Sequence, residues 1–189
     1  MTVGTTARFV SPDAGRFGAL GARLRVRYDA LGSGSRAELR RCKTPDDVGA
    51  EGLFLSLASS SGVAQSDLDL AADLVWLFPK AAQCAPGGRS FQLGRYLRDE
   101  IFGDVKMGEL PARARRFRQL VAARERAERL HHLWHLLGHA FQRNRHGVDW
   151  AVIAYDLGSF DDRTRRRLAE SFFFRAEPVT DTNEESTDV

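Results

Sequence analysis

The chain is 189 residues long, with 43% hydrophobic and 28% charged side chains, enough apolar material for one core or for two small lobes sharing it. No apolar run approaches the roughly 18–20 residues that cross a bilayer, and no basic start precedes an apolar stretch of about 7–15 residues as a secretion signal would; the sequence reads as a soluble, cytoplasmic protein with no membrane partner. The formal charge of +3 hides an asymmetry: residues 176–189 hold five acids (Glu177, Asp181, Glu184, Glu185, Asp188) and no base, leaving a body of about +8 suited to a polyanionic partner.

Strand signals are weak and helical periodicity recurs. Ser11-Pro12-Asp13 can cap a helix running to about Leu31, with Phe17, Leu20, Leu24 and Tyr28 on one stripe. A break at 31–34 precedes a short helix from Ser35 to Cys42. Thr44-Pro45-Asp46-Asp47 supplies a capping hydroxyl, a proline at the first helical position and an acid at the third; one helix carrying Val48, Leu53, Phe54 and Leu57 should follow. A loop from Ser59 to Gln65 leads into an apolar helix from Asp67 to about Phe78, closed by Pro79.

Residues 85–90 form the clearest internal break and suggest lobes at about 14–84 and 90–175. Ser90 can cap a helix with Leu93, Tyr96 and Leu97, followed by a loop at 103–108. Further helices are expected from Leu110 to about Arg124, from Glu125 to Gln142, from Gly147 through Leu157, and from Asp161 or Asp162 to about Phe174. The expected architecture is all-α, a compact helical bundle of about eight short helices. Residues 1–13 form an N-terminal tail, and the polar, acidic tail at 176–189 is expected to be disordered. Cys42 and Cys84 lack a CxxC spacing and neighbouring histidines, as buried free thiols in a reducing compartment would.

Of the 28 basic residues, 25 are arginine; the lysines are Lys43, Lys80 and Lys106. Guanidinium groups suit phosphate recognition, although a GC-rich genome also favours arginine. Three clusters stand out. The helix at 110–124 should bury Leu110, Ala114, Phe117 and Val121, turning Arg115 and Arg118 to the far side and Arg116 to a flank. With Arg113, Arg124, Arg126 and Arg129 there are seven arginines between 113 and 129: either a solvated face or a row of phosphate contacts that holds backbone without reading bases. Arg36, Arg40, Arg41 and Lys43 form the second cluster, with Arg36 and Arg40 on one helix face. Arg163, Arg165, Arg166 and Arg167 open the last helix, against its macrodipole; Asp161 and Asp162 can offset that cost.

All five histidines lie between 131 and 146, and His131, His135 and His139 step by four. Such a pair can bind zinc, but no HExxH motif is present and no acid lies between Glu128 and Asp149. The three histidines fall opposite the apolar arc of Leu130, Leu133, Trp134, Leu136, Leu137 and Ala140, so exposure on a polar face is expected, with no metal and no cofactor. Phosphate-loop, GxSxG and paired-carboxylate nuclease signatures are absent. Asp67, Asp69 and Asp73 read as helix N-terminal acids. Trp76, Trp134, Trp150, Phe172, Phe173 and Phe174 read as core or subunit interface.

Taken together, Ser35-Arg36-Ala37-Glu38-Leu39-Arg40-Arg41 before a Thr-Pro-Asp helix start, Leu93-Gly94-Arg95, Arg115-Arg116-Phe117-Arg118-Gln119-Leu120-Val121, and Val148-Asp149-Trp150 with Asp156-Leu157 before a basic-aromatic helix resemble the CasB family over about residues 14–175. CasB is the small subunit of the type I-E CRISPR surveillance complex, Cascade. The resemblance implies an all-α subunit without catalytic activity that acts in antiviral defence. It would self-associate as a dimer in the complex beside the large and backbone subunits. There it would contact crRNA, target DNA and the displaced strand, stabilising the R-loop. The matching contact residues would be Arg40, Arg41, Arg95, Arg115, Arg116 and Arg118, with Arg165 and Arg166; Arg36 and Lys43 join the candidate nucleic-acid contacts from the second basic cluster. Two departures stand out: His131, His132 and His135 replace arginines frequent in the family, and the 80–110 segment is long. A helical protein–protein adaptor and a histidine-metal hydrolase are the competing readings.

Overall fold

The computed structural model describes residues 12–82, 93–94, 97–98, 112–144 and 148–173, with the backbone alone described at 12–14, 112–113 and 139–144. Among these residues there are nine α-helices and no strand: α1 Pro12–Asp29, α2 Ser33–Arg41, α3 Pro45–Ala50, α4 Gly52–Ser60, α5 Leu68–Leu77, α6 Ala112–Ala122, α7 Arg126–Asn144, α8 Trp150–Gly158 and α9 Asp162–Phe173. Single turns of 3-10 helix at Gln65–Asp67 and Phe78–Lys80 flank α5. Residues 93–94 and 97–98 are helical. The all-α expectation holds. The break at 85–90, the loop at 103–108, the acidic tail, Cys84 and Arg95 lie outside the described residues.

The expected helix after Thr44 is two helices. Thr44 Oγ1 accepts from the Asp47 amide at 3.1 Å, and the Asp47 carboxylate accepts from the Thr44 amide at 2.9 Å, so both ends of the anticipated cap close. Glu51 then adopts an extended conformation (φ −74°, ψ 130°). Gly49 and Gly52 weaken helix propagation on either side, and the bend lets Val48 and Phe54 both reach the core at 0% and 1% exposure. α4 ends where Gly62 takes φ +65°, which lets the Val63 amide donate back to the Ala58 carbonyl at 3.0 Å.

α1 and α8 pack closely. The expected stripe on α1 is real: Leu20, Leu24 and Tyr28 are buried, and Phe17 is half-buried. A Cβ on Gly21 would lie 2.5 Å from both the Trp150 carbonyl oxygen and the Ala154 Cβ, so only hydrogen lets these backbones approach. One turn on, the Arg25 guanidinium donates to the carbonyls of Phe78 (3.1 Å) and Ala81 (2.9 Å). Its Nε donates to Asp29 at 2.8 Å, and the group sits 5.3–5.7 Å from the rings of Phe78, Tyr28 and Trp150. α1 thus joins the end of α5 to α8. A second aromatic centre lies between α6 and α9, where Phe117 stacks on Phe172 at 3.7 Å. One contiguous set of buried residues includes both centres, together with Leu133 and Leu137 of α7.

Gly21→Ala should lower the stability of the fold by about 2 kcal/mol or more, because the new methyl meets backbone that cannot give way. Gly15→Ala, whose Cβ would meet nothing within 4 Å, should leave stability unchanged or raise it by up to about 1 kcal/mol through helix propensity. Thermal and urea denaturation of the two variants checks the contrast.

Candidate nucleic-acid interface

α6 presents its arginines as its periodicity requires. Ala114, Phe117 and Leu120 are buried at 2%, 0% and 1% exposure, and Val121 is half-buried. Arg115 and Arg118 are exposed, and Arg116 is half-buried. The Arg118 guanidinium lies 5.8 Å from the Phe173 ring on α9. The charge of Arg116 helps depress the neighbouring imidazole of His132 on α7, though burial is the main cause.

Of the rest of the expected row, Arg124 is exposed and the Arg113 side chain lies outside the described residues, whereas Arg126 and Arg129 are drawn into the fold. Arg126 donates to Asp73 from both Nε and Nη2, to Asp46 at 3.1 Å and to the Asp69 carbonyl at 3.2 Å. Arg129 is half-buried, with its guanidinium 4.4 Å from the Phe160 ring. Arg165 spends Nη1 on the Val121 carbonyl at 3.3 Å and lies 5.2 Å from the same Phe160 ring. Arg167 bonds Asp156 and the Tyr155 hydroxyl. Arg166 is well exposed but paired with Glu170 at 2.8 Å, and Arg163 is exposed.

The α2 cluster stands on other elements, because α2 packs on α4 and α5. Leu39 buries the inner face at 2% exposure. Arg36 is half-buried, and exposed Arg40 donates from Nε to the Arg36 carbonyl at 3.2 Å. Both guanidiniums lie near Tyr28, whose hydroxyl burial pushes above its ordinary pKa against their pull. Arg41 and Lys43 are exposed. Among the described residues, Arg41 and Arg115 make no hydrogen bond or ion pair through their guanidiniums, and Arg118 has no carboxylate partner.

The histidine stripe departs in part from its expected exposure. His131 is exposed and His135 half-buried, their rings 4.7 Å apart. The His132 side chain is only 12% exposed, with Glu128 at 3.8 Å. Burial, then the charges of His131 and Arg116, hold His132 below its ordinary pKa. The side chain of His139 lies outside the described residues. No group of three or more His, Cys, Asp or Glu among the described residues could hold a metal ion.

Asp73 corrects the reading of the α5 acids: it is buried inside the helix rather than capping it, at 5% exposure. Asp67 precedes α5 but is taken up by Arg16. The one available signal was an acid inside each apolar run, Asp73 in Ala71–Leu77 and Asp156 in Trp150–Leu157; neither run identifies its partner. The two buried pairs carry structural consequences. Arg126→Met and Arg167→Met should each destabilise by about 3 kcal/mol or more, by stranding a buried carboxylate, whereas Arg115→Met and Arg118→Met should stay within about 0.5 kcal/mol; urea melts check both.

Burial pushes Asp73 and Asp156 up to about 6 despite the arginines beside them. The folded state then holds these protons at pH values where the unfolded chain, with carboxyls near 3.8, has lost them. Each group therefore takes stability away as pH rises from about 4 to about 6, on the order of 3 kcal/mol, and none beyond. The stability of the natural protein relative to Asp73→Asn should fall across that window and level off above it, as read by urea melts at stepped pH.

The model of the CRISPR-associated protein Cse2 family (CRISPR_cse2) matches residues 35–173. No curated protein matches the chain. The fold is similar to that of a chain in the crystal structure of E. coli Cascade bound to a PAM-containing dsDNA target (32-nt spacer), with a TM-score of 0.63 and 24% identity over 80% of this chain and 95% of that one. With the family match spanning α2 through α9, the chain belongs to the Cse2 family, the family that its motif order resembles under the name CasB.

Proposed function

We propose that the protein is a non-catalytic subunit of a type I-E Cascade complex that holds nucleic-acid backbone and stabilises the opened duplex during cytoplasmic antiviral defence. The observation that carries this reading is the set of outward cations on a Cse2-family body: Arg41, Arg115 and Arg118 are exposed and have no carboxylate to neutralise them among the described residues. Lys43 beside the α3 cap, Arg40 and half-buried Arg36 extend the α2 group; half-buried Arg116 flanks the α6 group. Arg165 and Arg166 contribute less, since α6 carbonyls and Glu170 already engage them. Arg95 belongs with the contacts by its motif alone.

Guanidiniums scattered over separate helices suit phosphate contact without base readout. Exchanging a DNA duplex for a guide–target duplex is nearly balanced in energy, so modest backbone contacts can tip it. The partners on this reading are crRNA, target DNA, the large and backbone subunits, and a second copy of the chain within the complex. Two lobes divided near 85–90 would give it separate surfaces for strand and subunits.

Fluorescence anisotropy with labelled single-stranded RNA and DNA, titrated at several salt concentrations, tests the reading. Affinity should fall steeply with salt, with a slope of about 0.7 per phosphate neutralised, and depend little on sequence. Arg40→Glu with Arg41→Glu, and Arg115→Glu with Arg118→Glu, should each weaken binding by about tenfold or more and flatten the slope, with melting temperatures unchanged. Unaltered affinity in both double variants, or no binding at low salt with the partner subunits present, overturns it in favour of a protein–protein adaptor.

A further inference from the structure

We infer that the indole of Trp134 is a stacking site for one unpaired base of a single strand, with Lys80 covering the ring until the base arrives and then holding the adjoining phosphate. The inference rests on the backbone-holding role proposed above and adds to it a contact with a base that needs no sequence readout.

Three elements build the site. α5 carries Trp76, the 3-10 turn after it carries Lys80, and the middle of α7 carries Trp134. The two indoles stack with centroids 4.0 Å apart and planes 25° apart. Both are half-buried, whereas Trp150 is enclosed at 0% exposure. Lys80 Nζ lies 3.6 Å from the centroid of the Trp134 ring. An ammonium and an indole cannot share one face at these separations, so Trp76 backs one face of Trp134 and Lys80 covers the other. The lysine stem passes Gly138, one turn further along α7, where a Cβ would lie 3.8 Å from the Lys80 Cδ.

The lysine is a replaceable cover. Among the described residues Lys80 has no hydrogen bond and no carboxylate partner, and burial holds its pKa below the ordinary lysine value. A cation–π contact alone keeps its ammonium on the ring. At a partly exposed place that contact is weak, and a base stacked on an aromatic ring is the stronger of the two interactions. A base that takes the ring therefore displaces the ammonium, whose flexible stem and three donors let it follow the strand to a phosphate. Trp76 and Trp134 both pack against the buried core, so the receiving plane is fixed before the strand binds and little ordering is left to do. Every base has a face to stack, which suits a subunit that must hold strands of any sequence.

The test titrates the full chain at low salt with a thymidine oligonucleotide and with an abasic tetrahydrofuran strand of equal length, following tryptophan emission and affinity together. The thymidine strand should quench the emission and bind about tenfold more tightly; the abasic strand should bind through its phosphates and leave the emission unchanged. Trp134→Leu should bring the two affinities within about twofold of each other without weakening the abasic strand. Trp134→Phe, which keeps a ring in place, should retain the preference and lose most of the quench. Lys80→Met should lower the salt slope for the thymidine strand by about 0.7, one phosphate contact. Equal affinity of the natural protein for the two strands, or an undiminished preference in Trp134→Leu, overturns the stacking site; an unchanged slope in Lys80→Met overturns the part given to the lysine. If neither strand binds, with or without the partner subunits, the backbone-holding role fails. Thymidine monophosphate then decides the site by itself: quenching that is lost in Trp134→Phe upholds it, and no quenching overturns it.

Discussion

The close approach of α1 to α8 at Gly21 is the constraint on which the rest of the molecule depends. Trp150 and Ala154 sit where a Cβ on residue 21 would be, and this contact carries Arg25 in between the two helices. There its guanidinium satisfies the Phe78 and Ala81 carbonyls at the 3-10 end of α5. Helix ends leave carbonyls without intrahelical partners, and burying them unpaired would cost on the order of 1–3 kcal/mol each. A cation enclosed by three aromatic rings, paired with Asp29, meets that demand and ties the α1–α5 half of the chain to the part containing α8.

The same residue type serves two ends. Arg25, Arg126 and Arg167 are drawn inward by carbonyls and buried carboxylates, while Arg129 and Arg165 both lie against the Phe160 ring. A guanidinium can do this because it is weakly hydrated, stacks on aromatic faces and donates in several directions at once. Arg41, Arg115 and Arg118 are left facing outward. A fold that uses some arginines as internal fasteners can keep its remaining charge for a partner without relying on that partner for stability. The division also explains why total arginine content overstates the binding surface.

The α6–α9 pair is where structure and proposed function meet most directly. Phe117 and Phe172 fix the register of the two helices. Beyond them, Arg118 lies near the ring of Phe173, at the edge of the core rather than in it. The arginine face is thereby held on rigid helices, which suits contacts that must track a backbone without reading its sequence.

Much of this was legible in residue order because it rests on short-range spacing. The α1 stripe, the Thr44–Asp47 cap and the burial of Phe117 with Arg115 and Arg118 outward follow from which residues stand three or four apart, while the family resemblance rests on the order of short motifs. What spacing could not supply was partnership across the chain. Asp73 and Arg126 are 53 positions apart, and Arg165 meets Val121 across 44; nothing local distinguishes these arginines from Arg115. Nor did the sequence show that Gly21 lies where α1 and α8 approach too closely for a Cβ, or that Glu51 bends an apparently continuous helix. Helical periodicity assigns each side chain to a face, but which faces meet, and so which charges are neutralised and which remain free, is settled only when the helices pack.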